Sequence, residues 1–223
     1  MAIADNTPSF IQKDRGEIEP VELFFSPHVV PDIDFEVLGL LGNMIPNRCL
    51  LEYFRMPPLE VEISKCIRKL FAWHDKLQEQ REEQEEEPIP DEVLPNLWII
   101  ATYISDELLD LFNAKTQPPE WCEGVYFTKE WFKTGIVSIN HLPNIPDTLW
   151  LRLLGVGDVQ EKAIEQFIIL PKENPLRSKV LNFIGNWWNN TQKEEDITGE
   201  HEHLLEILSP IYQQWEKENA DCE

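Results

Sequence analysis

A long amphipathic segment between two short apolar segments most constrains how this chain can fold. The segment CLLEYFR (49–55) is rich in aliphatic and aromatic residues and is followed by two consecutive prolines, a pattern typical of a β-strand. Residues 59–87 repeat apolar side chains at helical spacing, with charged residues on the other face. The segment PNLWIIATYI (95–104) has the pattern of a second, buried strand. This order favours a parallel strand pair with the helix packed on the sheet.

The later segments add strands and then only helices. Residues 124–128 and 135–142 have strand patterns, and Ser105 is placed to cap the short helix SDELLDLFNA. From Asp147, which we expect to cap the helix TLWLRLLG, the pattern is helical to the end. We therefore predict an α/β fold in which a mixed sheet is flanked by helices, with a helical C-terminal region.

The predicted domain organisation follows these changes in pattern. Residues 1–20 are a polar, flexible leader, 21–146 form the α/β core, 147–192 are a helical extension packed on the core, and 193–223 are an acidic C-terminal helix or tail. No segment approaches the roughly 20 apolar residues of a membrane span. The N-terminus also lacks the basic and apolar regions of a secretory signal. We therefore expect a cytoplasmic protein with no membrane partner.

The formal net charge of −22 is concentrated in two segments. Residues 79–92 hold eight acidic residues and one Arg, and residues 194–223 hold ten acidic residues and one Lys. Such runs are typical of a solvated helix face or a tail, so we expect the helix to project or fray from residue 79 onward. The alternative is a surface for a basic protein partner. Passive nucleic-acid binding is disfavoured, because it needs clustered Lys and Arg.

Several catalytic motifs are absent from the sequence. There is no Gly-rich phosphate loop, no GxSxG motif and no CxxC pair for a zinc site. Cys49 is a candidate nucleophile, but it stands beside aliphatic residues, where a thiol is usually inert. Four residues near TLWLRLLG are expected on one side of a helix, in the core rather than in a site: Leu149, Trp150, Leu153 and Leu154.

The remaining candidate site is acidic. Asp34 precedes an apolar run, and Glu52 lies within the predicted strand 49–55. Two carboxylates at the ends of adjacent strands would hold Mg²⁺, which prefers oxygen ligands, and the metal would lower the pKa of an attacking water. The alternative for Glu52 is a structural ion pair with Arg48 or Arg55.

A metal-dependent nuclease of this style also needs a cation beside the carboxylates. It usually has Lys two residues after the Glu, but here that position is Phe54. Arg68 or Lys69, on the helix that follows, would have to supply the charge. The candidate catalytic residues are therefore Asp34 and Glu52 as metal ligands and Lys69 as the cation.

The stretch Trp121–Ile184 resembles a group of uncharacterised cyanobacterial proteins. The resemblance lies in the EGVYF strand, in xTLWLRLLG, in a VQ-x-x-AI helix and in a PLR-x-x-VL helix. Those proteins are often grouped with the PD-(D/E)XK nuclease-like families, including recombination-promoting nuclease and transposase-associated relatives. The resemblance implies a restriction-endonuclease-like core, with Asp34 and Glu52 at the family's acidic positions and no match for its Lys at Phe54.

Two functions of different classes follow from these observations. The first is a non-catalytic or degenerate nuclease-fold protein that binds a protein partner of basic charge through its acidic surfaces and needs no cofactor. The second is a Mg²⁺-dependent nuclease that acts on DNA. The acidic charge and the missing Lys favour the first.

Overall fold

The chain folds into an α/β structure built around a mixed sheet. The computed structural model describes residues 21–25, 35–45, 48–117, 119–191 and 199–220. The strands are β1 Val21–Phe25, β2 Cys49–Phe54, β3 Asn96–Ala101, β4 Val125–Phe127 and β5 Thr134–Ser138. The α-helices are α1 Leu40–Met44, α2 Glu60–Glu83, α3 Asp106–Leu111, α4 Leu149–Arg152, α5 Asp158–Ile168, α6 Pro175–Thr191 and α7 Gly199–Ala220.

The five strands lie in the order β1-β2-β3-β5-β4. The central strands β2, β3 and β5 are parallel, whereas β1 and β4 run antiparallel to their neighbours at the two edges. Because α2 connects β2 to β3, the predicted parallel strand–helix–strand unit is confirmed. Strand β5 is shorter than the predicted segment 135–142, because Ile139–His141 forms a 3₁₀ turn. In the part of the chain that is described, no helix is long and apolar enough to cross a membrane.

Burial explains why β3 lies at the centre of the sheet. Every residue of β3 after Asn96 is buried, as expected for a strand covered on both faces. Alternate residues of β3 join a hydrophobic cluster with one face of α2. On the opposite face, Trp98 contacts the rings of Trp121 and Phe127. Trp98 also stands over Gly135, its register partner in β5, where any side chain would overlap the indole.

The acidic end of α2 is held by the chain that follows it, so the expectation that it frays is wrong. The side chain of Gln78 donates to the carbonyl of Ile89 and accepts from the N–H of the same residue, both at 2.8 Å. Arg81 donates to the carbonyl of Glu87 at 3.0 Å and forms an ion pair with Glu86. These bonds fold the segment after α2 back against the helix.

The described residues divide into two compact units. The sheet unit contains residues 21–25, 44–45, 48–117 and 119–143, and the helical unit contains residues 35–43, 144–191 and 199–220. The assignment of 35–43 to the helical unit differs from the predicted core of 21–146. A long-range hydrogen bond joins this segment to the helical unit, since the indole of Trp150 donates to the carbonyl of Val37 at 2.9 Å.

The helical unit has its own hydrophobic core, and α7 contributes to it. Leu149, Phe167, Leu181 and Ile211 are buried in one cluster drawn from α4, α5, α6 and α7. The predicted acidic C-terminal helix is present as α7. Its apolar side chains between residues 208 and 215 pack into this core, a contact that the sequence analysis did not predict. The acidic composition of the segment did not indicate that α7 has an apolar face.

The start of α4 differs from the prediction in its cap and in its core residues. Thr148 precedes the helix and makes no side-chain cap bond, whereas Asp147 belongs to the 3₁₀ turn Pro146–Thr148. Leu154 was expected in the core but is 42% exposed. Trp150 is only partly buried, so one of the predicted core residues has surface available for contact with a ligand.

Candidate functional site

Glu52 is a carboxylate buried inside the sheet unit. It lies in β2 between Leu50 and Phe54, which belong to the hydrophobic cluster formed with α2. Alternation along a strand places these three residues on the same face. The Glu52 side chain is 0% exposed, and a buried charge requires a partner of opposite charge to offset its lost hydration. Phe54, where a nuclease of this style has Lys, is a core residue.

Lys69 supplies the cation beside Glu52. Its Nζ donates to Oε1 of Glu52 at 2.9 Å, and its side chain is 34% exposed. Lys69 borders the buried face of α2 and reaches the sheet, whereas Arg68 is exposed. The alternative interpretation of Glu52 was a structural ion pair with Arg48 or Arg55. An ion pair is present, but its cation is Lys69. The contact comes from the helix because α2 crosses the sheet immediately after β2.

Asp34, the other predicted metal ligand, lies outside the described residues. Glu22 of β1 takes the register position opposite Glu52 in the antiparallel β1–β2 pair. Within the described part of the chain, no group of three His, Cys, Asp or Glu side chains is placed to hold a metal ion.

The Glu52–Lys69 pair combines opposite charges with little access from solvent. Glu52 has no exposed surface, so it reaches a ligand only if its neighbours move, whereas Lys69 lies at the boundary of the core. The arrangement suits a structural ion pair that joins α2 to β2. It also brings together a carboxylate and a cation, the pair of groups used in metal-assisted phosphodiester hydrolysis.

Cys49, the candidate nucleophile, has the environment of a structural residue. It is buried in β2, and burial raises the pKa of its thiol to about 12. Because the thiolate is the nucleophilic form, Cys49 is protonated and inert at neutral pH.

Two buried arginines of the helical unit were missed by the sequence analysis. Arg177 of α6 donates to both carboxylate oxygens of Glu218 in α7, at 2.8 and 2.5 Å. This hydrogen bonding holds the pKa of Glu218 at about 2, below its ordinary value. Arg152 of α4 donates to neutral groups, the Thr148 hydroxyl at 3.0 Å and the Gln166 amide oxygen, and burial lowers its pKa. Such long-range partners have no local sequence pattern.

Comparisons with known proteins assign neither a family nor a function to this chain. No protein-family model, no curated protein and no solved structure matches this chain. The resemblance of Trp121–Ile184 to nuclease-like families therefore stays a prediction, and the function has to be argued from the geometry of the chain itself.

Proposed function

We propose that the protein is a non-catalytic interaction protein that keeps a restriction-endonuclease-like α/β core and binds a basic protein partner. The binding surface in this proposal is the acidic segment, residues 79–92 at the end of α2. The burial of Glu52 and its bond to Lys69 support a structural role for the pair.

The proposal rests on one observation: the acidic segment is exposed, yet hydrogen bonds and an ion pair fix its backbone. All eight carboxylates of the segment belong to exposed residues. The backbone that bears them is tied down by the bonds of Gln78 to Ile89 and of Arg81 to Glu86 and Glu87. A charged surface that is already ordered loses less conformational entropy on binding than a mobile tail does.

Electrostatic complementarity gives such a surface a defined kind of partner. A segment with a net charge of −7 attracts a basic protein and accelerates encounter, and the attraction weakens as salt rises. It repels nucleic acid for the same reason. The acidic segment therefore selects partners by charge, and its fixed backbone adds a geometric requirement.

The experiment is affinity capture from a lysate of the source organism, with the whole chain as bait. The test variant neutralises three exposed carboxylates of the segment, Glu82→Gln, Glu83→Gln and Glu87→Gln, and leaves the Arg81–Glu86 pair intact. We expect wild type to capture a protein of basic net charge. Capture by the variant should fall about tenfold at low salt, since the loss of three charges weakens both steering and contact.

The matched control removes the same number of charges from exposed positions elsewhere. It carries Glu120→Gln, Glu165→Gln and Glu173→Gln. The control should retain the partner at wild-type level. Equal capture by both triple variants, or capture of acidic proteins only, would overturn the proposal.

A Mg²⁺-dependent DNA nuclease is the second candidate, and the contact between Glu52 and Lys69 favours it. The test is cleavage of plasmid and oligonucleotide DNA with Mg²⁺ or Mn²⁺, comparing wild type with Glu52→Gln and with the exposed control Arg68→Gln. The nuclease interpretation requires metal-dependent cleavage that Glu52→Gln abolishes and Arg68→Gln preserves. Absent or unchanged cleavage leaves the binding function as the better account.

A further inference from the structure

A cavity in the helical unit is lined by acidic, aromatic and aliphatic side chains. Its volume is about 170 Å³, and the exposed acidic residues Glu36 and Asp147 and the partly buried Trp150 are among the residues that line it. Leu149 and Leu170 contribute apolar surface. Among the described residues that line the cavity there is no Lys or Arg, so its charged groups are of one sign.

The two acidic walls come from distant parts of the sequence and are fixed against each other. The indole of Trp150 donates to the carbonyl of Val37 at 2.9 Å across a separation of 113 residues. Gly39, at φ +54°, packs so closely that a side chain there would overlap the backbone of Asp147. The Trp150 ring also makes an edge contact with Phe167. These contacts place Glu36 and Asp147 in one cavity.

We infer that this cavity binds an arginine side chain of a basic protein partner. A guanidinium is planar, carries hydrogen-bond donors that match carboxylates and stacks on an aromatic face. The residues that line the cavity include two of acidic character, one with an indole and two with aliphatic side chains suited to the alkyl chain. The volume far exceeds the roughly 15 Å³ that one water molecule requires by the same measure. Anionic ligands are excluded by repulsion from Glu36 and Asp147.

This inference rests on the proposed function in one respect, the basic character of the partner. Its site is different, because the cavity lies in the helical unit and the acidic segment in the sheet unit. The proposed function identifies the kind of protein that binds, whereas the cavity identifies a side chain that the partner would present. Each can therefore be tested without the other.

The experiment titrates the full-length protein with a short blocked peptide that contains one arginine. The neutral, nearly isosteric peptide with citrulline in place of arginine is the ligand control. The readout is the indole N–H signal of Trp150 in a ¹H–¹⁵N spectrum, assigned with Trp150→Phe. We expect the arginine peptide to shift this signal and to bind about tenfold more tightly than the citrulline peptide, because charge-assisted hydrogen bonds are the stronger ones.

Matched variants identify the carboxylates that bind. Asp147→Asn, and separately Glu36→Gln, should weaken binding of the arginine peptide about tenfold. Glu165→Gln, an exposed position outside the cavity, should leave it unchanged. An unchanged circular dichroism spectrum and unfolding midpoint show that each variant is folded. The inference is overturned if the arginine peptide causes no shift, if citrulline binds equally well, or if Glu165→Gln has the same effect as both cavity variants.

The outcomes also separate this inference from the proposed function. If the acidic-segment variant loses its partner while Asp147→Asn retains it and the arginine peptide does not bind, the proposed function stands and the cavity inference falls. If the arginine peptide binds the cavity but no captured protein depends on the acidic segment, the cavity inference stands and the proposed function falls.

Discussion

The two units of the protein bury opposite charges. The sheet unit buries a carboxylate, Glu52 at 0% exposure, and leaves its partner Lys69 34% exposed. The helical unit buries a guanidinium, Arg177 at 3% exposure, and leaves its partner Glu218 20% exposed. The first pair is joined by one contact at 2.9 Å, whereas the second is bidentate.

The difference shows how each pair serves its unit. A lysine ammonium is a flexible point charge, so Lys69 can neutralise Glu52 without fixing a precise geometry. The fork of Arg177 matches the carboxylate of Glu218, so it fixes α7 relative to α6 as well as neutralising charge. In both units the buried member depends on the more exposed one. Removing the exposed member should therefore be the more damaging change, because it leaves a buried charge.

The largest expected effect is that of Lys69→Met. Methionine keeps the aliphatic volume but removes the ammonium from the fully buried Glu52 carboxylate. The free energy of unfolding of the sheet unit should fall by about 3–5 kcal/mol. Native-state hydrogen exchange of the β3 amides measures this locally, since these amides report the opening of the sheet.

Two variants define what the Lys69 result means. Arg68→Met changes an exposed cation on the same helix and should alter stability by less than about 0.5 kcal/mol. Glu52→Gln leaves the Lys69 ammonium able to reach solvent. It should therefore lower the free energy of unfolding by less than Lys69→Met does. If Lys69→Met is as mild as Arg68→Met, the buried carboxylate does not depend on this ion pair, and the comparison between the units fails.

The next effect is a pH dependence of the helical unit that arises from Glu218. Hydrogen bonding to Arg177 holds the pKa of Glu218 at about 2, below its ordinary value of 4.5. A group whose folded pKa is depressed stabilises the fold above its unfolded pKa and loses that contribution as pH falls through the folded value. The stabilisation by Glu218 should therefore be complete above about pH 5 and disappear towards pH 2.

The variant that checks this dependence is Glu218→Gln, which leaves Arg177 buried without its carboxylate. It should lower the free energy of unfolding by about 3 kcal/mol at neutral pH, measured by urea denaturation with circular dichroism. The difference from wild type should shrink as pH falls from 5 to 2. Glu216→Gln, an exposed change on the same helix, should show neither effect. A difference that stays constant with pH would mean that Glu218 acts through packing alone.

Much of the sheet unit was predictable because its pattern is local. The strand at 49–55, the amphipathic helix and the buried strand at 95–104 follow one another along the chain, and short-range periodicity identifies each of them. The parallel pairing then follows from the connection through a helix. The backfolding of the acidic segment was not predictable, because it depends on where Gln78 and Arg81 find backbone partners.

The candidate sites were less predictable because their partners are distant in sequence. Lys69 was named as a cation near Glu52 from the order of strand and helix, and the structure places it in contact. Nothing local indicates that Arg177 meets Glu218, or that the indole of Trp150 bonds to residue Val37. These contacts form through tertiary packing, which a single sequence does not encode in any short pattern.

The smallest expected effect concerns a third ion pair, Arg81 with Glu86 at the end of α2. Both side chains are more than a third exposed, so solvent already screens their charges and the pair should contribute no more than about 1 kcal/mol. Arg81→Gln should therefore barely change the free energy of unfolding. It should nevertheless speed hydrogen exchange at the amide of Ile89, because the backfolded segment loses one of its attachments.

Salt and a control variant complete this test. The effect of Arg81→Gln on exchange should diminish at high salt, which screens exposed pairs, whereas the effect of Lys69→Met should persist because its partner is buried. Lys76→Gln, an exposed change on the same helix, should leave the exchange of Ile89 unchanged. A large global loss of stability in Arg81→Gln would contradict the ranking of the three ion pairs by the burial of their side chains. The acidic segment would then belong to the folding core of the sheet unit, and its carboxylates would be constrained by stability as well as by binding.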